Sequence, residues 1–235
     1  MPAISNHYKN ERGRSYAELV QNDPYSFGYA LNLAFFRPYI RPTDSVLDFG
    51  CGNGGMLRLL KRCTANAEGI EVNPAAAEMA RAAGLKVYAG ISELPREASY
   101  DVVVSNHVLE HVPDVCATLA RLRLCIRPGG LFVTKLPIDD FRSSHQLSWS
   151  PNDIDHHLHT WSPRLFANVL FETGYDVREC RVVTSAWHPR LFPLARLGLG
   201  PVAFRLFAVL ARRRQLMAVG EVAQVAGSAT VQGRK

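Results

Sequence analysis

From Ser45 to Pro137 short apolar runs alternate with amphipathic stretches, the pattern of repeated βαβ units. Residues 45–49 (SVLDF) form an apolar strand that runs straight into glycines. Residues 55–63 set Met56, Leu57, Leu59 and Leu60 against Arg58, Lys61 and Arg62, as a helix with one buried face does. A second strand follows at 67–72. Asn73 and Pro74 then cap and start a helix that Gly84 closes. Strands are predicted at 85–89 and 100–105. Pro113 and Asp114 introduce a helix over 115–126, and a turn at 127–130 feeds a fifth strand at 131–137. The unbroken run Val102, Val103, Val104 suits a parallel sheet covered on both faces. The pattern weakens after 137. It resumes with a helix at 162–174, capped by Ser162 with Pro163 at its first position, and with strands at 175–183 and 215–226.

This order divides the chain into three parts: an aromatic N-terminal helical lid at 1–44, a domain at 45–226 with an insertion at 184–214, and a flexible tail at 227–235. The lid carries Tyr16, Tyr25, Phe27, Tyr29, Phe35 and Phe36 over the sheet edge or the cofactor mouth. A chain of 235 residues, 47% hydrophobic, supports one α/β domain and leaves little room for a second.

The net charge of +6 sits toward the end of the chain. Residues 178–235 hold ten Lys and Arg against Glu179 and Glu221, so the body is close to neutral. A basic active-site face of the kind nucleic acid requires is therefore not expected. There is no apolar leader, no stretch of ~20 apolar residues and no C-x-x-C among the five cysteines. A cytoplasmic protein with reduced thiols is expected.

The candidate chemistry begins in VLDFGCGNGG (46–55), where Gly50, Gly52 and Gly55 spell G-x-G-x-x-G after a strand. The glycines alone do not choose between a dinucleotide and another adenosine cofactor. Asp48 does. A carboxylate two residues before the first glycine repels a pyrophosphate and suits a ligand bearing an ammonium group. Glu71 ends the second strand, where an acid can accept hydrogen bonds from both ribose hydroxyls. Together they favour S-adenosylmethionine. No G-K-[ST] follows, which excludes a P-loop.

VLDFGCGNGG, GIEVNP (69–74), YDVVVSNHVLEHVPD (100–114) and RPGGLFVTKLP (127–137), in this order and spacing, resemble the class I S-adenosylmethionine-dependent methyltransferases. The ubiquinone-biosynthesis-like small-molecule group is the nearest flavour. The resemblance implies an α/β, Rossmann-like, seven-stranded sheet, mostly parallel, with helices on both faces and the last strand antiparallel. It implies that Gly50, Cys51 and Gly52 contact the methionine part and that Asp48 helps hold its ammonium. Glu71 falls on the ribose acid, Val72 on the residue against adenine, and Gly90 with Ile91 on the adenine-contacting turn. Many relatives carry an acid at Ile91, so backbone groups are expected to substitute. Asn106 falls where the fourth strand opens toward the transferred methyl group. The enzyme expected is a methyltransferase acting on a small-molecule, glycan or lipid-linked acceptor, most readily at oxygen. The sequence SNHV after the fourth strand, without the Pro-Pro-aromatic signature, argues against nucleic-acid bases. A nicotinamide oxidoreductase and a non-catalytic cofactor-binding or membrane-associated partner protein are the alternatives.

Three histidines are candidates for catalysis: His107 near the methyl-transfer mouth, His111 in LEH, and His157 in DIDHHLHTW (153–161). His111 also suits a loop-orienting role. In the 153–161 loop a base, His157 oriented by Asp155, removes the proton lost in oxygen methylation. A metal-binding reading and a plain capping loop stand beside it, as does Asp139-Asp140 for an ion, and no metal is assigned. The insertion ends in the helix 200–214, with Arg205 and Arg212 on one face. It suits either peripheral contact with an anionic membrane or packing and subunit contact.

Overall fold

A computed structural model describes residues 13–14, 24–94, 99–138, 153, 156–186 and 188–224. Seven strands form one sheet: β1 (Ser45–Phe49), β2 (Asn66–Ile70), β3 (Val87–Tyr88), β4 (Tyr100–Asn106), β5 (Ile126–Pro137), β6 (Tyr175–Thr184) and β7 (Arg214–Val222). Their order is β3-β2-β1-β4-β5-β7-β6. The first five pair in parallel, and β7 runs antiparallel to both β5 and β6. The chain reverses its direction of travel across the sheet between β1 and β4. The strand ends part there and leave the crevice in which open α/β sheets bind ligands.

Both faces are covered because side chains alternate along each strand. Leu47, Phe49, Val103 and Phe132 point into one core, filled by α4 (Val115–Cys125) and α5 (Pro163–Glu172) through Leu119, Leu122, Phe166 and Leu170. Val46, Val102, Val104 and Val133 point into the other. There they meet α1 (Pro24–Phe36), α2 (Gly55–Leu60) and α3 (Pro74–Ala82) through Phe36, Met56, Leu57, Leu60, Ala77 and Ala80. Asn73 caps α3 by accepting from the Ala75 and Ala76 amides, and Ser162 caps α5 by accepting from Leu165 N–H. These are the caps the sequence indicates.

Three local departures have physical causes. The helix expected over 55–63 ends at Leu60, where Cys63 and Thr64 N–H bond back to the Leu60 carbonyl and turn the chain into β2. The turn at 127–130 is absorbed into β5 as an irregularity: Ile126 pairs with Tyr100, and the next pair is Leu131 with Val102. Gly129 takes φ +79° within it, and a Cβ on Gly130 would stand 2.8 Å from the Asp101 carbonyl. β3 keeps only two of its five expected residues, at the sheet edge.

The insertion forms two short helices, α6 (Phe192–Arg196) and α7 (Gly200–Leu210), between β6 and β7. Among the described residues no helix is long and apolar enough to cross a membrane. Tyr16, Asp139, Asp140, Asp155 and the tail 227–235 lie outside the described residues, as do the side chains of Tyr25 and Phe27.

Candidate active site

A cavity of about 490 Å³ opens at the carboxyl ends of β1, β2 and β4. Asp48, Gly50, Cys51, Gly52, Glu71, Val72, Gly90, Ile91, Asn106, His107 and His111 all line it, so the topology gathers nearly every sequence-level candidate on one surface. His157 is not in its wall but stands directly behind His111, with ring centroids 5.0 Å apart.

The glycine loop shows why this is not a phosphate cradle. Gly50 and Cys51 N–H both donate to the Ile70 carbonyl at 2.9 Å, and Gly52 N–H donates to Glu71 Oε2 at 2.8 Å. The donors a pyrophosphate needs are therefore already engaged inside the protein, and what the loop turns outward suits a cation. The bend itself demands glycine. Gly50 and Gly52 have φ of +80° and +56°, and a Cβ on Gly50 would stand 2.3 Å from Val108 Cγ2. Gly55 is needed for a different reason, since a Cβ there would strike the Tyr29 ring of α1 at 2.1 Å.

Two carboxylates stand on the cavity. Asp48 is buried, and among the described residues its Oδ2 has no hydrogen-bond partner. Burial first, and then the charge of Glu71, push its pKa up to about 7. A buried acceptor without a donor, on the cavity wall, is what an ammonium group would satisfy. Glu71 Oε1 accepts from Asn73 N–H at 2.7 Å while Oε2 holds Gly52. Burial raises its pKa against those two amides and the Val72 backbone, which lower it. Asn106 Oδ1, at the end of β4, is likewise buried without a partner among the described residues. These acceptor groups fit a cationic cofactor such as S-adenosylmethionine, which Asp48, Glu71 and Asn106 would hold. Burial, Asp48 and Glu71 raise the Cys51 pKa, so this thiol is inert; it packs over Gly69.

Beyond Asn106 the chain turns sharply. His107 has φ +55°, a costly conformation for a side chain of its size. Its Nδ1 lies 3.6 Å from Glu110 Oε1, and His111 Nε2 lies 3.7 Å from the same oxygen. Glu110 is fully buried. Burial, then the nearby Lys135 charge, push the His107 pKa down to about 3, with a Gln215 hydrogen bond opposing them. The segment 156–159 is fastened across this turn. Leu158 and His159 N–H donate to the Glu110 carbonyl at 2.7 and 3.2 Å, and His159 Nε2 meets the Val112 carbonyl at 2.9 Å.

The comparisons agree with this geometry. The methyltransferase-domain family matches residues 25–179. The chain belongs to that family. Trans-aconitate 2-methyltransferase of Deinococcus radiodurans is 32% identical over 113 residues, 46% of this chain and 43% of its own. Ubiquinone biosynthesis O-methyltransferase of Paramagnetospirillum magneticum is 30% identical over 161 residues, 60% of this chain and 63% of its own. The chain thus spans less than two thirds of these relatives. Among solved structures, a chain from a Haloferax volcanii complex of a methyltransferase and its activator superposes with a TM-score of 0.65 at 19% identity. That match covers 94% of this chain and 100% of the other, and it supports the fold alone.

Within this methyltransferase domain several residues make contacts that the sequence does not assign. Tyr29 reaches the cavity from α1, and its hydroxyl donates to Asn53 Oδ1 at 3.2 Å. Asn53 Oδ1 also accepts from Gly55 N–H at 3.1 Å, which ties the lid helix to the glycine loop. Gly54, outside the G-x-G-x-x-G pattern, has φ +83° and is the residue that starts α2. Glu93 lines the cavity two residues beyond Ile91, and its Oε2 accepts from Ala89 N–H at 2.8 Å. An acid therefore stands on the cavity wall close to Ile91, displaced along the turn. Tyr29 belongs to the aromatic segment that the sequence puts over the sheet edge or the cofactor mouth, and Gly54 shows as a doubled glycine, while Asn53 and Glu93 carry no mark of their place.

Asp48 couples stability to cofactor binding. Its folded pKa is raised from 3.8, so the stability of the neutral form is complete below pH 4 and is lost as pH rises through about 7. Asp48→Asn should flatten that loss and raise the apo melting temperature at pH 8. It should also weaken S-adenosylmethionine by about 10–100-fold there, the scale of one charged hydrogen bond. Thermal melts and calorimetry at pH 6 and 8 check both, and a variant that binds like wild type at pH 8 removes Asp48 from the site. Glu71→Gln should cost roughly 1.5–3 kcal/mol of cofactor affinity with little change in helix content. An unchanged dissociation constant would show that Glu71 only braces Gly52 and Asn73.

Proposed function

We propose that this chain transfers the methyl group of S-adenosylmethionine to an oxygen of a small-molecule acceptor. The observation that carries this is the continuity of one cavity. Asp48 and Glu71 line the same cavity as Asn106, His107 and His111. The acceptor oxygen attacks the methyl carbon in line. The O–CH₃ bond forms, the S–CH₃ bond breaks, the sulfur keeps the electron pair and the acceptor loses a proton. The bound sulfonium supplies the driving force, and this chain's own residues align the two partners and shield them from water. Oxygen is favoured because an acceptor proton has to leave and the histidine corner stands at that end of the cavity. The two relatives, a ubiquinone biosynthesis O-methyltransferase and a trans-aconitate 2-methyltransferase, support the same reading. His107, held neutral, suits orienting the acceptor more than taking its proton.

Mixing the chain with S-adenosylmethionine and panels of hydroxyl, carboxyl and amine acceptors should yield S-adenosylhomocysteine with oxygen acceptors. His111→Ala should lower kcat by about 10²–10⁴-fold while cofactor affinity stays within twofold. Turnover confined to amines overturns the oxygen reading. Cofactor binding without turnover on any acceptor leaves the binding-protein alternative.

A second feature favours an acceptor met at a membrane surface, a lipid-linked one. Residues 184–214 contain six arginines and no acid. On α6, α7 and the turn between them, Phe192, Phe204 and Ala208 face inward, while Leu197, Leu199, Val202, Leu206, Val209 and Leu210 are 54–74% exposed. The insertion leaves the sheet at Thr184 and returns at Arg214, beside the carboxyl end of β5 where Pro137 pairs with Gln215. An apolar patch of this size beside arginines fits an anionic bilayer surface. Co-sedimentation with phosphatidylglycerol vesicles should therefore be strong at low salt and fall as salt rises. It should be lost in the Arg212, Arg213, Arg214 to Gln variant. Equal sedimentation with neutral vesicles, or none with either, leaves packing or a subunit contact as the role of the helix.

A further inference from the structure

Lys135 of β5 is fully buried, and every group that holds it is neutral. Its Nζ donates to Asn32 Oδ1 of α1 and, at 3.3 Å, to Ser185 Oγ just past β6, with the Phe35 ring centroid 4.7 Å away. Among the described residues no carboxylate bonds it. We propose that Lys135 selects an acceptor that bears an oxyanion, a carboxylate or a phosphate, by acting through its field on the cavity wall at Asn106 and His107. The proposal rests on the methyl-transfer reading above and names the class of acceptor for it.

The sheet register places this charge. Asn106, Lys135, Met217 and Arg181 pair in turn across one row, from β4 through β5 and β7 to β6. Asn106 lines the cavity, and the next residue, His107, donates its N–H to the Lys135 carbonyl at 2.9 Å. The wall of the cavity is therefore one strand away from the lysine. The charge reaches that wall, since it is one of the causes that keep the His107 imidazole neutral. One row back stand two carboxylates, each two strands from β5: Asp48 on β1 and Glu179 on β6. Neither is bonded to Lys135, and Glu179 is already held by the Tyr39 hydroxyl at 2.7 Å and by Arg181. The segments that meet the lysine from outside the sheet supply no acid either. Residues 24–36 of α1 carry no charged side chain, and residues 184–214 carry six arginines and no Asp or Glu.

A structural brace does not account for the charge. An ammonium is costly to take out of water, and two neutral oxygens with one ring face offset only part of that cost. A methionine of similar length would fill the place beside Phe35 without it. Burial, with no carboxylate to oppose it, lowers the Lys135 pKa to about 7. The cavity is consequently asymmetric in charge. Asp48 and Glu71 line it beside the glycine loop, and Lys135 stands behind Asn106 and His107. A cationic cofactor settles against the acids, and an oxyanion on the neighbouring acceptor settles toward the lysine, through a low-dielectric wall that screens the attraction little. The methyl group still goes to a hydroxyl oxygen as written above, with the sulfur keeping the electron pair and the acceptor losing a proton. The oxyanion is a second group on that acceptor, and holding it fixes the direction from which the hydroxyl approaches. The acceptor class is then a hydroxy acid or a phosphorylated hydroxyl compound.

The test reads anion preference on the full chain loaded with S-adenosylhomocysteine, at about pH 6.5. Benzoate, phenyl phosphate and the neutral benzyl alcohol are titrated in by calorimetry. Wild type should bind one of the two anions about tenfold or more tightly than benzyl alcohol, and the tighter anion tells carboxylate from phosphate. Lys135→Met keeps the length and removes the charge. It should bring the anions to within about twofold of benzyl alcohol while S-adenosylhomocysteine affinity is unchanged. Asn32→Asp keeps Lys135 and hands it an internal carboxylate. It should abolish the preference as well, although the lysine and its contact with α1 remain. If Lys135→Met fails to fold, Asn32→Asp decides alone. Equal binding of all three probes to wild type, no anion binding, or a preference that survives in either variant would overturn the proposal and leave Lys135 as a brace for α1. S-adenosylhomocysteine binding is measured first in the same samples. Its absence, with the anion preference intact on the unloaded chain, would sink the methyl-transfer reading and not the anion selectivity.

Discussion

The hydrogen bond from Gly52 N–H to the Glu71 carboxylate holds the rest of the site in place. It joins the loop after β1 to the end of β2, and the same carboxylate takes Asn73 N–H at the start of α3. One side chain thus fixes the glycine loop, the cap of a helix and the wall of the cavity. It also pre-engages the amide that would otherwise greet a phosphate. A carboxylate in this position costs desolvation, which is why its pKa rises despite two amide donors. Asp48 beside it is costlier still, since its Oδ2 has no donor among the described residues. Two acids kept close together in a buried place are stabilised by a cation. A cationic ligand in the cavity would offset that cost.

The other half of the cavity is organised by a buried acid of a different kind. Glu110 lies on the short 3-10 turn after β4. Its backbone carbonyl, not its side chain, accepts the two amides that bring in the 156–161 segment. Trp161 then packs on His159 and on Phe166 of α5, with centroids 5.4 and 5.1 Å apart, which extends the main core up to the site. The histidines consequently stand on a base continuous with α5. The position of His157 relative to His111 follows from packing around Trp161 as much as from the loop itself.

The lid and the insertion meet the sheet on its other face. Lys135, fully buried on β5, is held by Asn32 of α1 and by Ser185 at the end of β6, with its Nζ 4.7 Å above the Phe35 ring. Burial lowers its pKa to about 7. A lysine in this place ties α1, and with it Tyr29, to the strand that runs beside Asn106. Its charge is also part of what keeps His107 neutral. The N-terminal helix is therefore tied to the glycine loop through Asn53 and to β5, beside Asn106, through Lys135.

The sequence by itself determined the strands β1, β2, β4, β6 and β7, the helices that start at Asn73-Pro74, Pro113-Asp114 and Ser162-Pro163, and the glycine bend after β1. Those features are local: an apolar run, a cap or a glycine bend is legible within ten residues. The preference for a cationic cofactor was legible too, because Asp48 is adjacent to the bend it informs. What only the tertiary structure decided are the contacts between distant segments. Tyr29 meets Asn53 across 24 residues, His111 meets the His156 carbonyl across 45, and Lys135 meets Asn32 across 103. Neither partner of such a pair carries a mark of the other in its own neighbourhood. The direction of the loop amides, the gathering of Glu110 with His111 and His157, and the place of Glu93 on the cavity wall follow from strand order and from how closely side chains pack. Those are set by the whole core at once.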